Sequence, residues 1–566
     1  MRNWDLPPNR KRLAGPLLEK CYELSLNYLS EAFAEADYFS LITDAWTSDA
    51  MHKFVAVNIS FVDKSYCLHV LCLAIIPLQE SHTWWQVTHE IATRVQNALP
   101  KDAVLVATIT DNGANFLKVA RALHTNLEKA AIELEFVHVN NSGIDMWNAP
   151  IEDNLDITAQ WRCVAHKAQL AVNDVIGTNS NSAIGASRLL RKVHALTVFV
   201  RASPARRDAL SHAQRTLEMQ SLAPVMDVAT RWLATYYMLK RFILNYDAYV
   251  LMAQRKQLDD FCGASGFVTP REKLTLIAIR DALEPVEKFV RLCEGEQYVT
   301  LAITPVLLAE MLHSLRDRSN DDDGNAYSTV AKNFRRELRR AIEDRLGYIL
   351  ESVNMSLCAA ALHPDYGHLR FVEDESVRDG VWEELKNWLV GPNSFPPIKQ
   401  AEHLEDPSSF RLPTRPPTAE RIQEELDLVR RHFESRVDDR NRFRVSNGVN
   451  GSALDPLKWW HEESSRSGSS ISSIAVLPRI VFCVMATSAA SEREFSSVKQ
   501  NTLSVRPRLA PVKSEKVAVM RSLIRDMGGE KWRSWIAQEL AKDREWMSKN
   551  KRRKKGTLQD FVVSSS

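Results

Sequence analysis

Tyr38-Phe39-Ser40-Leu41-Ile42-Thr43-Asp44 is a short apolar run that ends on an acid, and it predicts a buried strand. Two more runs follow, Phe54 to Val62 and Tyr66 to Ile76, with only Asp63-Lys64-Ser65 between them, so they are expected to pair as a hairpin. From Trp84 to Leu99 the apolar spacing changes to a helical one, with Trp85, Val87, Ile91 and Val95 on one face. Val104 to Thr110 is a fourth strand, again leading to an acid, Asp111, and Gly113 to Leu123 reads as the helix after it.

Three strands that meander, then a crossover helix, a fourth strand and a helix, is the order of an RNase H-like domain. Asn140 to Gln160 reads as an exposed loop, and Trp161-Arg162-Cys163-Val164-Ala165-His166 leads into a helix that runs to about Ile176. From there to about residue 450 the pattern is helical without clear strand runs, broken at Ser319 to Asn325, Gly391 to Thr418 and Asp438 to Ser452. No fixed-period repeat is visible, and the α/β part resumes near residue 471. The expected fold is therefore α/β plus α, an RNase H-like domain interrupted by a large all-helical insertion. The expected divisions are a helical lead-in over 1–37, the first RNase H-like part over 38–176, the insertion over 177–453, a segment completing the domain over 454–526, and a C-terminal helix with a basic tail over 527–566.

Composition agrees with a large folded chain. Its 566 residues exceed one simple core, and 45% apolar content is ordinary for globular proteins. A net charge of +2 does not by itself announce a nucleic-acid binder, although local concentrations of charge still bind phosphate. The eight cysteines form no Cys-x-x-Cys pair, which fits a reducing compartment. No apolar leader opens the chain, and Pro478 and Arg479 interrupt its most apolar stretch, so no membrane partner is expected.

Beyond that stretch stands Ala486-Thr487-Ser488-Ala489-Ala490-Ser491-Glu492-Arg493-Glu494-Phe495-Ser496-Ser497. Ser491 with Glu494 three residues later has the form of a capping box, which predicts a helix beginning at Glu492. Two acids at strand ends and one on a distant helix suit two-metal phosphoryl chemistry, because carboxylate oxygens hold hard Mg²⁺ or Mn²⁺ ions. Asp44, Asp111 and Glu492 are by position candidate ligands for two such ions. Each has a plainer reading: Asp111-Asn112-Gly113 is good turn chemistry, and Glu492 suits the first turn of any helix.

The Ser491-Glu492-Arg493-Glu494-Phe495-Ser496 block resembles the Ser-Glu-Arg-x-Phe-Ser block of the hAT (hobo/Ac/Tam3) DNA transposase superfamily. Leu454-Asp455-Pro456-Leu457-Lys458-Trp459-Trp460 is similar to the entry of that family's C-terminal dimerisation region. Thr43-Asp44-Ala45-Trp46-Thr47-Ser48 and Thr110-Asp111-Asn112-Gly113-Ala114-Asn115 resemble the blocks that carry its catalytic aspartates, with Ala45 where glycine is more usual. Cys163-Val164-Ala165-His166 resembles its Cys-x-x-His motif, which implies that His166 positions phosphate or an active-site acid. No second ligand pair lies at finger-like spacing, so no zinc site is expected. Asp227-Val228-Ala229-Thr230-Arg231-Trp232 resembles the family's Thr-Arg-Trp block, which implies DNA contact by Arg231 and base stacking by Trp232. Packing between helices is the equal alternative for Trp232. Leu362-His363-Pro364-Asp365-Tyr366 resembles a degraded copy of the family's Leu-Asp-Pro-Arg-Tyr element.

The resemblance implies metal-dependent cleavage and transfer of DNA at transposon ends, with transposon-end and target DNA as partners and the nucleus as location. It also implies self-association, for which Leu454, Leu457, Trp459, Trp460 and Phe495 are the expected anchors, with internal packing as the alternative. Arg188, Arg191, Lys192, Arg201, Arg206, Arg207 and the group Arg335, Arg336, Arg339, Arg340 are either solvated helix faces or the lining of a DNA channel. The basic tail Lys549 to Lys555 suits nuclear targeting or phosphate contact. The family's upstream BED-type zinc finger has no counterpart in the sequence. Two other classes of function stay open: a domesticated, non-catalytic protein that dimerises and binds DNA or chromatin, and a protein-interaction scaffold.

Overall fold

Strand β1 (Tyr38–Thr47) is the middle strand of a five-stranded mixed sheet of order β3-β2-β1-β4-β5. It pairs antiparallel with β2 (Lys53–Val62) and parallel with β4 (Val104–Thr110). Its first seven residues are all buried, as a strand covered on both faces requires. β3 (Leu68–Leu78) closes one edge as the hairpin partner of β2. Asp63 makes that turn, its Oδ1 accepting the backbone N–H groups of Ser65 and Cys67 at 2.8 Å each. The computed structural model describes residues 16–47, 53–78, 83–111, 114–125, 160–177, 184–227, 233–261, 266–316, 328–391, 394–395, 418–435, 455–466, 469–502 and 511–542.

Two expectations change here. β1 does not stop at Asp44: Ala45, Trp46 and Thr47 continue the ladder opposite Val55, Phe54 and Lys53. The extension is held by Trp46, whose ring stacks on Phe54 and on Phe495, each with centroids 5.7 Å apart. Second, Gln160–Arg162 is a fifth strand, β5, parallel to β4. Three residues are too few to leave a periodic signal.

The remaining described residues are mostly helical. Helix α1 (Pro16–Phe33) precedes the sheet, α2 (Trp84–Ala98) makes the β3-to-β4 crossover, and α3 (Ala114–Thr125) follows β4. Val87, Ile91 and Val95 are buried on α2 as expected, while Trp85 is only half-buried. One face of the sheet, with Phe39 and Leu41, packs on α1, α2 and the late helix 511–527. Tyr38 and Ile42 face the other way, into a large helical body reaching from Val164 to Met485. That division follows the two-residue period of a strand. Among the described residues, no helix is long and apolar enough to cross a membrane.

The late segments return to the sheet. Ile471 to Met485 is buried but forms no strand: it holds one short helix, Leu477–Val481, and irregular chain. Ser40 donates to the Cys483 carbonyl (2.7 Å), Tyr66 to that of Ala475 (2.6 Å), and Arg479 pairs with Asp37 (2.6 Å). Helix Pro511–Met527 lies on β3, where Ser522 Oγ accepts the Cys72 N–H at 2.7 Å.

His69 joins this helix to the hairpin. Its Nδ1 stands 3.0 Å from Asp526 and its Nε2 3.2 Å from Asp63. Burial alone would lower the imidazole pKa, but the bonds to the two carboxylates prevail and raise it to about 9. A folded pKa above the unfolded value gives stability that is complete below about pH 6.5 and is lost as pH rises through about 9. His69→Gln is therefore expected to lower the thermal midpoint at pH 6 by the equivalent of about 1–3 kcal/mol. At pH 10 the two proteins should melt alike, and a difference independent of pH would show that His69 acts by packing alone.

Candidate functional site

Asp44 lies just past the end of parallel pairing, since β1 and β4 run together only as far as Ile42 opposite Ile109. It is 8% exposed, and its Oδ1 accepts the Ala45 N–H at 2.8 Å. Asp111 follows β4 immediately, on the neighbouring strand. The sheet thus delivers both acids to one end of adjacent strands by backbone register alone.

The third acid is brought by the segment 483–492. Its helix starts at Ala489, not at Glu492, and Ser491 is no cap. The Ser491 hydroxyl is fully buried, accepts from Asn58 Nδ2 (3.0 Å) and donates to the Ile42 carbonyl (3.3 Å). Asn58 stands opposite Ile42 in the β1–β2 ladder, so both partners belong to one rung of the sheet. Glu494, the other half of the expected capping box, is buried and pairs with Arg525. Just before the helix, the Thr487 hydroxyl accepts the Ala489 N–H at 3.3 Å.

Upstream the same segment is bonded to four more elements, β5 and the helices Val164–Gly177, Pro270–Cys293 and Thr300–Ser314. The Ala486 carbonyl accepts from Val164 N (3.2 Å) and Trp161 Nε1 (3.3 Å), while its N–H donates to Thr300 Oγ1 (3.1 Å). Thr487 donates to the Cys293 carbonyl at 3.3 Å. Arg493 reaches the same connection, bonding the Glu296 carboxylate and the Glu294 carbonyl. Glu296 also meets Arg525 (3.4 Å). Glu492 therefore sits where the sheet, the start of the helix after β5 and the Glu294–Val299 connection of the helical body meet.

Burial and neighbouring acids both disfavour ionisation of Asp44 and Glu492. Burial, then the charge of Asp111, raises the Asp44 carboxyl to about 7. Burial, then Asp44, then Glu294, raises that of Glu492 to about 8, with Asp111 adding a smaller push and Arg493 opposing. Glu294, from the helical body, is an acid the sequence reading did not anticipate. No periodic pattern marks it. Asn58 was missed too, although a lone amide in the apolar run Phe54 to Val62 is a signal, because a buried amide needs a partner.

This donor set suits a hard divalent cation, which prefers carboxylate oxygen and would relieve the repulsion. Among the described residues no three His, Cys, Asp or Glu side chains lie close enough together to hold an ion as they stand.

The other expected residues divide clearly. His166 is half-buried; burial lowers its pKa, and the fields of Asp111 and Arg345 reach it. Cys163 is fully buried and burial raises its thiol to about 11, so its role is packing. Arg231, Trp232, Leu454 and the basic tail lie outside the described residues. The aromatic anchors expected for self-association are used inside the chain. Trp460 is fully buried and donates to the Leu362 carbonyl (2.8 Å), Phe495 stacks on Trp46, and Leu457 is buried. Trp459 stacks on His432, centroids 5.9 Å apart. Several of the basic groups expected in a channel are also engaged locally. Lys192 is buried against Glu272 (2.8 Å), Arg201 bonds the Pro224 carbonyl, Arg206 lies on Phe199, and Arg335 bonds the Ser314 carbonyl. Arg188 and Arg191 are exposed.

The acid repulsion has a measurable consequence. An acid whose folded pKa exceeds its unfolded value costs stability as pH rises from the unfolded value to the folded one. For Asp44 that window runs from about 4 to about 7. With a chelator present, Asp44→Asn is expected to raise the thermal midpoint at pH 8, by the equivalent of roughly 1–3 kcal/mol, and to leave it nearly unchanged at pH 4. A variant that melts no higher at pH 8 would contradict the burial and repulsion described.

Comparison with known proteins agrees with the sequence blocks. Residues 161–273 match the family model of the ZBED1 RNase-like helical domain, and residues 433–524 that of the hAT family C-terminal dimerisation region. The protein tpeD of Talaromyces stipitatus, which bears the name of a transcriptional regulator, is 25% identical over 259 residues. The match covers 41% of this chain and 27% of that protein's length. These two segments lie in order along one chain that also carries the Ser-Glu-Arg-x-Phe-Ser block, so the chain is similar to hAT-family proteins and contains a segment matching that family's dimerisation region.

Proposed function

We propose that residues 38–162 and the helix from Ala489 form an RNase H-like domain into which the helical body is inserted, and that this domain cleaves DNA as a transposase or a transposase-derived protein. The observation that carries the reading is geometric: Asp44 and Asp111 stand at the same end of the adjacent strands β1 and β4, and Ser491, bonded to Asn58 and the Ile42 carbonyl, brings Glu492, 448 residues from Asp44 (492 − 44), to that end of the sheet. Asp44, Asp111 and Glu492 would hold Mg²⁺ or Mn²⁺, which when bound supplies charge to stabilise the attacking and leaving oxygens of a phosphodiester.

The chain's own contribution is position. The rung made by Ile42 and Asn58 fixes Ser491, and Ser491 fixes Glu492 one residue on. His166, half-buried within the field of Asp111, orients an acid or a DNA phosphate. Trp232 and Arg231 would serve the DNA strand, as the family block implies. Cleavage frees a 3′-hydroxyl that attacks the opposite strand, and the excised end is joined to target DNA. The match to the family's dimerisation region supports self-association, and a chromosomal DNA substrate would put the work in the nucleus.

A second reading has one observation in its favour, the name of the Talaromyces relative. In it the same fold dimerises and binds DNA without cutting it. Nicking of supercoiled plasmid in Mn²⁺ by the full chain distinguishes the two. The catalytic reading expects nicking that stops on chelation and falls at least roughly hundredfold in Asp44→Asn, Asp111→Asn and Glu492→Gln. Plasmid binding without any nicking would select the second reading, and nicking unaffected by the three substitutions would refute the role of these acids.

A further inference from the structure

Three successive carbonyls of the segment before Asp227 are taken up by side chains. Gln214 Nε2 and Asn245 Nδ2 donate to Leu222 (2.9 and 3.0 Å), Arg241 Nη1 to Ala223 (2.6 Å) and Arg201 Nη1 to Pro224 (2.7 Å). Arg201 lies in the last turn of the helix Ile184–Ala202, and the next helix, Pro204–Thr216, sends two more guanidinium groups back to that end. Arg206 Nη1 donates to the Phe199 carbonyl (3.2 Å), with its Cζ 3.5 Å from the centre of the Phe199 ring, and Arg207 Nη1 donates to the Arg201 carbonyl. Hydrogen bonds thus gather four guanidinium groups at one corner of the helical body. Arg201 and Arg207 are exposed there, and Arg206 and Arg241 are half-buried.

Each of these bonds has a structural use. Arg206 and Arg207 satisfy carbonyls at a helix C-terminus, and Arg201 and Arg241 fasten a segment without regular structure. Charge is not needed for that task, because at Leu222 the neutral amides of Gln214 and Asn245 perform it. A carbonyl accepts an N–H and cancels no charge. Among the described residues none of the four guanidinium groups is paired with a carboxylate, and Asp208, next in sequence to Arg207, pairs with none of them. Arg339, Arg345 and Arg430 differ in this respect, since they meet Glu343, Asp174 and Asp379. The end of a helix carries about half a negative charge, which offsets only part of the excess. Like charges left uncompensated at one place repel one another, and a polyanion is the ligand that relieves them.

The corner is joined to the acidic site. Tyr237 lies one turn before Arg241 on the helix Ala234–Gln254, and its hydroxyl donates to Glu287 (2.8 Å) on the helix Pro270–Cys293. From Glu287 the chain runs roughly 10 Å along that helix to Glu294. The Glu294 carbonyl is bonded by Arg493, the neighbour of Glu492.

We propose that Arg201, Arg206, Arg207 and Arg241 bind backbone phosphates of a DNA strand on the flank of the acidic site, at a distance from the bond to be cut. This rests on the reading of the chain as a protein that acts on DNA, and it holds whether or not the acids cleave that DNA. A guanidinium that gives one N–H to a carbonyl keeps others free, and these match phosphate oxygens in pairs. The corner would hold the strand whatever its sequence, since phosphate contacts position and base contacts specify.

The test uses the full chain, a fluorescent duplex and chelator, so that binding is read without cleavage. Affinity is measured across a potassium chloride series for the wild type, for Arg201→Gln plus Arg207→Gln, and for Arg201→Lys plus Arg207→Lys. The glutamine pair keeps N–H donors and removes two charges. It should make the slope of log affinity against log salt shallower by about two units and weaken binding at about 100 mM salt roughly tenfold or more. The lysine pair keeps both charges and should retain the wild-type slope. Arg340→Gln, which removes an exposed charge on the helix Thr329–Leu346, should leave the slope unchanged. A loss there as large per charge as at the corner would reduce the effect to net charge and overturn the proposal. If the glutamine pair does not fold, Arg207→Gln alone, at an exposed side chain, should remove about one unit of slope. A folded glutamine variant with wild-type slope and affinity would overturn the phosphate site and leave plasmid nicking to judge the acids. A wild-type chain that binds no DNA at low salt would overturn the DNA reading itself and this proposal with it.

Discussion

The buried hydroxyl of Ser491, shared between Asn58 and the Ile42 carbonyl, is the contact on which the arrangement depends. It is small, and on its own a hydrogen bond contributes only about 1 kcal/mol. Its importance is geometric. Ile42 and Asn58 form one rung of the sheet, two residues before Asp44 on one strand and two beyond its partner Ala56 on the other. Bonding both at once fixes where the late helix crosses the sheet and brings Glu492 toward Asp44. Removing the hydroxyl would leave a fully buried amide and carbonyl without this partner, a cost that exceeds the value of the bond itself.

Around that contact the segment 483–493 acts as a junction. The sheet holds it through Ser40, the helix after β5 through Val164, and the helical body through Thr300 and Cys293. Helices distant in sequence thereby share responsibility for one acid. The cost is electrostatic, since burial and the charges of neighbouring acids make Asp44 and Glu492 resist ionising at neutral pH. Such tension is a common feature of functional sites, where stability is lower than packing alone would permit.

Much of this was legible in the sequence. β4 ends at Thr110 as its apolar run does, and the hairpin, the crossover helix and the helical middle follow their periodicities. What was not legible depended on distant partners. β1 runs past Asp44 because Phe495, 449 residues beyond Trp46 (495 − 46), supplies a stacking ring. Ser491 reads locally as a helix cap and is instead a docking group, because Asn58 competes for its hydroxyl and wins. Trp460 and Phe495 read as interface anchors by composition, yet each finds its cover inside the chain. Local chemistry drew attention to these residues; their surroundings were decided by contacts that sequence spacing does not encode.

The central claim is that Asp44 and Glu492 share one electrostatic site. A double-mutant cycle with Asp44→Asn and Glu492→Gln, read as thermal or denaturant stability at pH 9 with chelator, tests it without any substrate. Both acids are ionised there in the folded protein, so each single substitution relieves the same repulsion. The account predicts that the double variant gains less than the sum of the singles, by about 1 kcal/mol or more. Gains that add within about 0.3–0.5 kcal/mol would show two independent carboxylates and contradict it.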